Sequence, residues 1–236
     1  MAGDLLARLA AKPRLAAILL DVDGTLAPIV EQPDDARVPE ETRHELARLA
    51  SRYALVACVS GRPGAEVERL VGVPGVAVVG EHGLELAPEA SRWADRIADF
   101  ASGIDWPAER KPLSVSFHFR RADDEAAARA YLTRVEAAAR AEGLVPRWGR
   151  MVLEVRPPVE ADKGTAVAAL LGRAGVERAL YAGDDTTDVD AFAALDGLDL
   201  GVKVAVRSAE APPALLAGAD LVVEGTDGML ELLRKL

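Results

Sequence analysis

The apolar run Leu15-Ala16-Ala17-Ile18-Leu19-Leu20, followed at once by Asp21-Val22-Asp23-Gly24-Thr25-Leu26, constrains this chain more than any other feature. Six uncharged apolar residues read as a strand buried on both faces, which is the habit of a parallel sheet covered by helices. Open sheets of that kind collect their ligands at the C-terminal strand ends, where Asp21 and Asp23 fall. Alternation along an extended chain sends both carboxylates to one side and Val22 to the other. Two like charges held close are unfavourable unless a cation or a shared proton offsets them, so the pair points to chemistry. The bland alternative is an Asx-type turn in which Gly24 supplies unusual backbone angles. A calcium loop also opens D-x-D, but the later EF-hand positions are missing here.

The segments on either side of this run alternate between strand and helix. Residues 15–21 read as strand, 39–51 as helix with Pro39 near its first turn, 54–59 as strand, 63–70 as helix and 76–79 as strand. That βαβαβ order implies a parallel sheet. The middle of the chain reads differently. Residues 113–120 and 151–156 alternate apolar and polar with period two, and the Ala-rich segment 123–140 reads as a helix with acidic residues in its first turn. One apolar and one polar strand face, with helices, make an open-faced module. From residue 162 the first pattern returns: helix 164–172, strand 178–182, helix 188–195, strands 198–202 and 220–223, then a C-terminal helix. The expected architecture is therefore an α/β, Rossmann-like parallel-sheet core over 1–87 and 159–236, with an inserted α/β cap domain over 88–158.

Charge supports that division. The 236 residues carry a formal charge of −10; the insert holds 12 basic and 11 acidic residues, and the remainder 16 and 27. An acidic core argues against a nucleic-acid partner, because a phosphate backbone calls for Lys and Arg. A small anionic substrate remains compatible, since it responds to the local field and to a metal. No segment reaches the roughly 18 apolar residues of a membrane span, and the N-terminal region lacks the pattern of a secretory signal. The single Cys58 sits in an apolar run and reads as a buried, inert thiol of a reducing compartment. A cytoplasmic monomer is the expectation.

Three further clusters lie at predicted strand ends. Ser60-Gly61-Arg62-Pro63 ends one strand and opens a helix. It reads either as a helix cap or as a hydroxyl with free N–H groups that hold phosphate oxygens. Lys163 sits at a predicted helix N-terminus, where the helix dipole disfavours a cation; a Lys aimed at a phosphoryl group explains that placement better than a surface Lys does. Gly183-Asp184-Asp185-Thr186-Thr187-Asp188-Val189-Asp190 puts four carboxylates within seven residues. Asp184 or Asp185 reads as a helix cap or a ligand, and Asp190 as solvated. With Asp21, Asp184 gives a hard oxygen site suited to Mg²⁺.

Taken in chain order, DxDGT, Ser60, Lys163 and GDDTTD resemble the four motifs of the haloacid dehalogenase superfamily of phosphatases. More narrowly, Gly80–Glu85, Ser114–Arg120, Met151–Pro157 and Gly183–Phe192 resemble the trehalose-6-phosphate phosphatase family, whose cap is inserted between the second and third motifs. The fourth motif of that family reads GDDxTDE, and this chain has Val189 at the Glu position. The resemblance implies Asp21 as nucleophile, Asp23 as general acid and base, Lys163 with Ser60 and Gly61 around the phosphate, and Mg²⁺ held by Asp21, the Asp23 carbonyl and Asp184. Asp185 and Asp188 would orient the metal's waters. The implied substrate is trehalose 6-phosphate, supplied by a trehalose-6-phosphate synthase working beside the enzyme.

Sugar recognition falls to the insert. Glu85, Lys111, His118, Arg120 and Glu154 are the candidates; each also reads as an ordinary residue of an exposed strand face. His82 reads as shaping its turn, and Trp93, Trp106 and Trp148 as packing. Rivals within the same chemistry are a glycosyl-glycerate phosphate, sucrose 6-phosphate or a hexose phosphate. A phosphomutase and a non-enzymatic sugar-phosphate sensor are rivals of other classes. The paired Asp21 and Asp23 argue against the sensor, since binding alone needs neither nucleophile nor acid.

Overall fold

The computed structural model describes residues 2–30, 32–149, 151–209 and 211–236. The chain divides into two compact units, Met1–Gly83 with Ala161–Leu236, and Leu84–Glu160. In chain order the first unit opens with α1 (Ala2–Ala10), β1 (Ala16–Leu20), α2 (Glu40–Arg52), β2 (Leu55–Val59), α3 (Gly64–Val71) and β3 (Val76–Val79). The second unit holds α4 (Ala94–Ser102), β4 (Glu109–Arg110), β5 (Val115–His118), α5 (Glu125–Ala141), β6 (Val145–Gly149) and β7 (Val152–Arg156). The first unit then resumes with α6 (Lys163–Ala174), β8 (Arg178–Gly183), α7 (Asp188–Ala193), β9 (Leu200–Arg207), α8 (Pro213–Gly218), β10 (Leu221–Glu224) and α9 (Gly225–Leu233).

The first unit is built on a six-stranded sheet in the order β10-β9-β8-β1-β2-β3, with all neighbours parallel. β1 is central because it has nothing polar to expose: all five of its residues are buried, and Ile18 pairs with Val56 on one side and Leu180 on the other. Helices supply the apolar cover, with Leu46 and Leu49 of α2 and Leu232 and Leu233 of α9 in the same core as Ile18 and Leu20. From β1 the chain winds one way through β2 and β3, then resumes on the other side through β8 to β10. The strand order therefore reverses between β1 and β8, and a reversal point opens a crevice at the C-terminal strand ends.

The second unit carries a four-stranded antiparallel sheet, β4-β5-β7-β6. Val115, Phe117, Leu153 and Val155 point to one face, where α4 and α5 cover them with Ile97, Phe100, Leu132 and Val135. Trp93, Trp106 and Trp148 pack against this core. The opposite face is polar, yet Ser114, Ser116 and Arg156 on it are buried.

Elements the sequence reading left out are α1, α4, α8, β4 and β6. β6 contains Pro146, which removes a ladder donor, and such a strand is tolerated here because β6 is a sheet edge. β9 continues to Arg207 where a strand ending at Val202 is expected, because Lys203 interrupts the apolar run without leaving the ladder. Cys58 is buried and unbonded to sulfur, and burial, followed by the charge of Asp21, pushes its thiol up to about 12.

Candidate active site

The strand ends at the β1/β8 crevice converge on Asp21. Its N–H continues the ladder by donating to the Ala182 carbonyl at 2.9 Å. The chain then turns sharply: the Val22 carbonyl accepts from Thr25, Leu26 and Ala27, and the Gly24 N–H donates to Ala27. Gly24 has φ +80, and a Cβ on it would run into the Asp184 carboxylate, so the turn needs glycine twice over. Val22 is buried in the core, while Asp21 and Asp23 face away from it to different partners.

Asp21 pairs with Lys163, whose Nζ donates to Asp21 Oδ1 at 2.7 Å and to Asp188 Oδ1 at 2.7 Å. Lys163 is the first residue of α6. The helix start is satisfied by a reciprocal cap between Asp162 and Thr165, so the lysine is free of that task and is buried to 3% exposure. A cation at a helix N-terminus and away from water is doubly unfavourable. Burial lowers its pKa, but the charges of Asp188 and Asp21 outweigh that and hold it protonated.

One ammonium faces three buried carboxylates. Oxygens of Asp21, Asp184 and Asp188 lie within 4.8 Å of one another. Burial raises Asp21 well above the usual carboxylate range, and Asp188 and Asp184 add to the rise against the pull of Lys163. Burial likewise carries Asp184 to about 7, with Asp188 the next cause. This excess of buried negative charge, presented by hard oxygen donors, fits a small divalent cation such as Mg²⁺. Thr25 Oγ1 in the same turn is wholly buried with no hydrogen-bond partner among the described residues.

Asp188 is built in more deeply than a residue that merely orients water. It is wholly buried. Its Oδ1 takes Lys163 and the Tyr181 hydroxyl, and its Oδ2 takes the Asp184 and Asp185 N–H groups at 2.9 and 2.8 Å. Asp185 is exposed, and its Oδ1 accepts from the Thr186 N–H at 2.7 Å. Asp190 is exposed and Val189 partly buried.

Asp23 stands outside the carboxylate cluster. Arg62 clamps it with Nε to Oδ2 at 2.7 Å and Nη2 to Oδ1 at 2.8 Å, and also pairs through Nη1 with Glu66 one turn into α3. The hydrogen bonds to Asp23 are the main reason the guanidinium is held further up. The Asp23 side chain is therefore committed to a cation of its own. Ser60 is buried, and its Oγ accepts from the Arg62 N–H at 3.1 Å. A Cβ on Gly61 would meet His82 Nε2 at 2.5 Å, so the glycine lets the imidazole lie against the turn. His82 itself has φ +53 and shapes that turn.

From sequence, Arg62 is named only as part of the Ser60–Pro63 cluster, and Glu66 and Tyr181 carry no assigned role. Arg62 carried a readable signal: like Lys163, it is a cation placed at a helix start.

The five sugar-binding candidates lie in the second unit. Register sets Glu109, Ser116, Glu154 and Arg147 in one cross-strand row. Lys111 Nζ lies 3.8 Å from Glu109 and 3.7 Å from Glu154, and His118 Nε2 is 2.6 Å from Glu109. Glu109 thus links His118 to Lys111, and Lys111 links Glu109 to Glu154, with Arg156 Nε 3.9 Å from Glu154. Glu109 and Arg156 were also missed. Arg120 lies in an exposed turn beyond β5, and Glu85 is exposed in the segment Glu81–Leu86.

Comparison with known proteins gives one consistent picture. The sequence profile of the family described as trehalose-phosphatase matches residues 19–105 and 107–214. A trehalose-phosphate phosphatase of Mycobacterium avium is 37% identical over 218 residues, covering 81% of this chain and 54% of that protein. The chain thus spans about half the length of the curated relatives it matches. A crystal structure of a trehalose-6-phosphate phosphatase related protein superposes with a TM-score of 0.73 at 27% identity, over 92% of this chain and 95% of the other. The C-terminal domain of the C. albicans trehalose-6-phosphate phosphatase shares the fold, with a TM-score of 0.78 at 24% identity over 99% and 96%.

Proposed function

Because the chain belongs to the trehalose-phosphatase family, we propose that it hydrolyses trehalose 6-phosphate to trehalose and phosphate, with Asp21 as the nucleophile. One observation carries the reading most. Asp21 is a buried carboxylate at the sheet's reversal point, gripped on one oxygen by a buried lysine and crowded by two further carboxylates.

In this scheme Asp21 attacks phosphorus in line through the oxygen Lys163 leaves open, and the bond from phosphorus to the sugar oxygen breaks. Asp23 gives a proton to the departing oxygen. In the second half it takes a proton from water, which attacks phosphorus and returns Asp21 as a carboxylate. Ser60, Gly61 and Lys163 hold phosphoryl oxygens through the transfer. Bound Mg²⁺ supplies positive charge against the repulsion between carboxylate and phosphate, and Asp21, Asp184 and the Asp23 carbonyl would hold it. Arg62 fixes the direction of the Asp23 carboxylate and must yield one oxygen to the leaving group. Lys111, His118 and Glu154, gathered on one sheet face, are the groups suited to sugar hydroxyls. A cytoplasmic setting and a synthase as the source of substrate complete the reading.

Phosphate release across a panel of sugar phosphates tests it. The reading expects Mg²⁺-dependent turnover fastest with trehalose 6-phosphate and none from Asp21→Asn. Faster turnover of sucrose 6-phosphate, a glycosyl-glycerate phosphate or a hexose phosphate would reassign the sugar. An isomeric phosphate in place of free phosphate would mark a mutase.

A further inference from the structure

Lys163 is pulled from two sides, and the side away from Asp21 has a second donor on it. Asp188 Oδ1 accepts from Lys163 Nζ and from Tyr181 Oη, both at 2.7 Å. Its other oxygen is occupied by two backbone N–H groups. An ionised carboxylate only accepts hydrogen bonds, so the phenol can serve it only as a donor.

Tyr181 is held where it is. It is wholly buried on β8, paired with Leu19 of β1 and Lys203 of β9. Its ring meets Phe192 of α7 edge to face at 6.2 Å and 82°. The hydroxyl therefore reaches Asp188 from a strand and a ring contact that both resist movement. Phe at this position would fill the sheet equally well, so packing does not explain the oxygen. Two donors on one carboxylate oxygen share its charge. The more Tyr181 satisfies Asp188, the less tightly Asp188 holds the ammonium.

We propose that Tyr181 is a positioning residue whose hydroxyl shares Asp188 Oδ1 with Lys163 and so leaves the lysine's remaining charge and donor for Asp21 and the phosphoryl group. This rests on the phosphatase reading for its consequence, though not for its geometry. Without the hydroxyl, Asp188 draws Lys163 toward itself. Phosphate is then held less well, while the fold keeps its ring packing.

The test is a double-mutant cycle on wild type, Tyr181→Phe, Lys163→Met and the double variant. Inorganic phosphate binding, with Mg²⁺ present, is measured by calorimetry, alongside KM, kcat and the melting temperature. Tyr181→Phe is expected to weaken phosphate binding and lower kcat/KM by roughly tenfold, with the melting temperature within a few degrees of wild type. It is expected to change phosphate binding no further when Lys163→Met is already present. Equal losses in both backgrounds, or wild-type binding by Tyr181→Phe, would overturn the assignment. If the wild type releases phosphate from no sugar phosphate, the functional reading fails by itself, and the binding cycle still decides the role of Tyr181.

Discussion

Replacing Lys163 with Met removes the only cation that the described structure sets among Asp21, Asp184 and Asp188, and leaves a side chain of similar length. The lysine is 3% exposed and makes two ion pairs at 2.7 Å. Breaking a buried ion pair by deleting one partner costs about 3–5 kcal/mol, because the other charge stays behind. Each kcal/mol corresponds to roughly 2–4 °C in melting temperature for a chain of this size. Metal-free Lys163→Met should therefore melt roughly 10 °C below the wild type at pH 8. Acidification should close the gap. Burial already raises Asp21 well above the usual carboxylate range and Asp184 to about 7, and both rise further without the lysine. Groups raised in the folded state contribute stability below their unfolded pKa values and lose it as pH rises through the folded ones. At pH 5 the variant's carboxylates take up protons and shed their repulsion. Thermal unfolding followed by circular dichroism, with a chelator present, reads this directly. A variant as stable as wild type at pH 8, or a deficit of the same size at pH 5, would refute the claim that the lysine is there to balance buried charge.

The same carboxylates set the response to metal. Asp184 is raised in the folded state, so the metal-free wild type loses that residue's contribution as pH climbs through about 7. Added Mg²⁺ should raise the melting temperature more at pH 8 than at pH 6; an equal shift at both would contradict the assignment of Asp184 to the cation. Arg62→Met should cut turnover of a sugar phosphate roughly tenfold or more, the scale on which a misdirected proton donor matters. It should cost much less with p-nitrophenyl phosphate, whose leaving group needs no proton. Equal losses on both substrates would mean that Arg62 acts on phosphate binding and not through Asp23.

The core was legible wherever residues report their own burial. β1, β2 and β8 are unbroken apolar runs, and a run ending in Asp or Ser marks its own strand end. Lys163 was legible for a similar reason, since a cation at a helix start conflicts with the dipole and demands a partner. What the partner is was not legible. Asp21 and Lys163 are 142 residues apart, and only the sheet order brings β1, β8 and α6 together. Asp188 reads from sequence as one acidic residue among four. Its weight appears only when its four hydrogen bonds are counted, one of them from Tyr181, which in sequence is merely another buried strand residue. Arg62 is harder to read because its partner Asp23 lies 39 residues away, and only the fold brings the two together. β6 escaped because Pro146 argues against a strand anywhere but at an edge, and edges are a property of the assembled sheet.

The central claim is that Asp21 takes the phosphoryl group. Enzyme mixed with trehalose 6-phosphate and Mg²⁺, quenched in acid within the first turnover and digested, gives peptides whose masses can be compared. The account predicts a phosphoryl group on the peptide containing Asp21, absent when Asp21→Asn is used or Mg²⁺ is withheld. Full turnover with that peptide never modified, or a phosphoryl group found on another side chain, would contradict it.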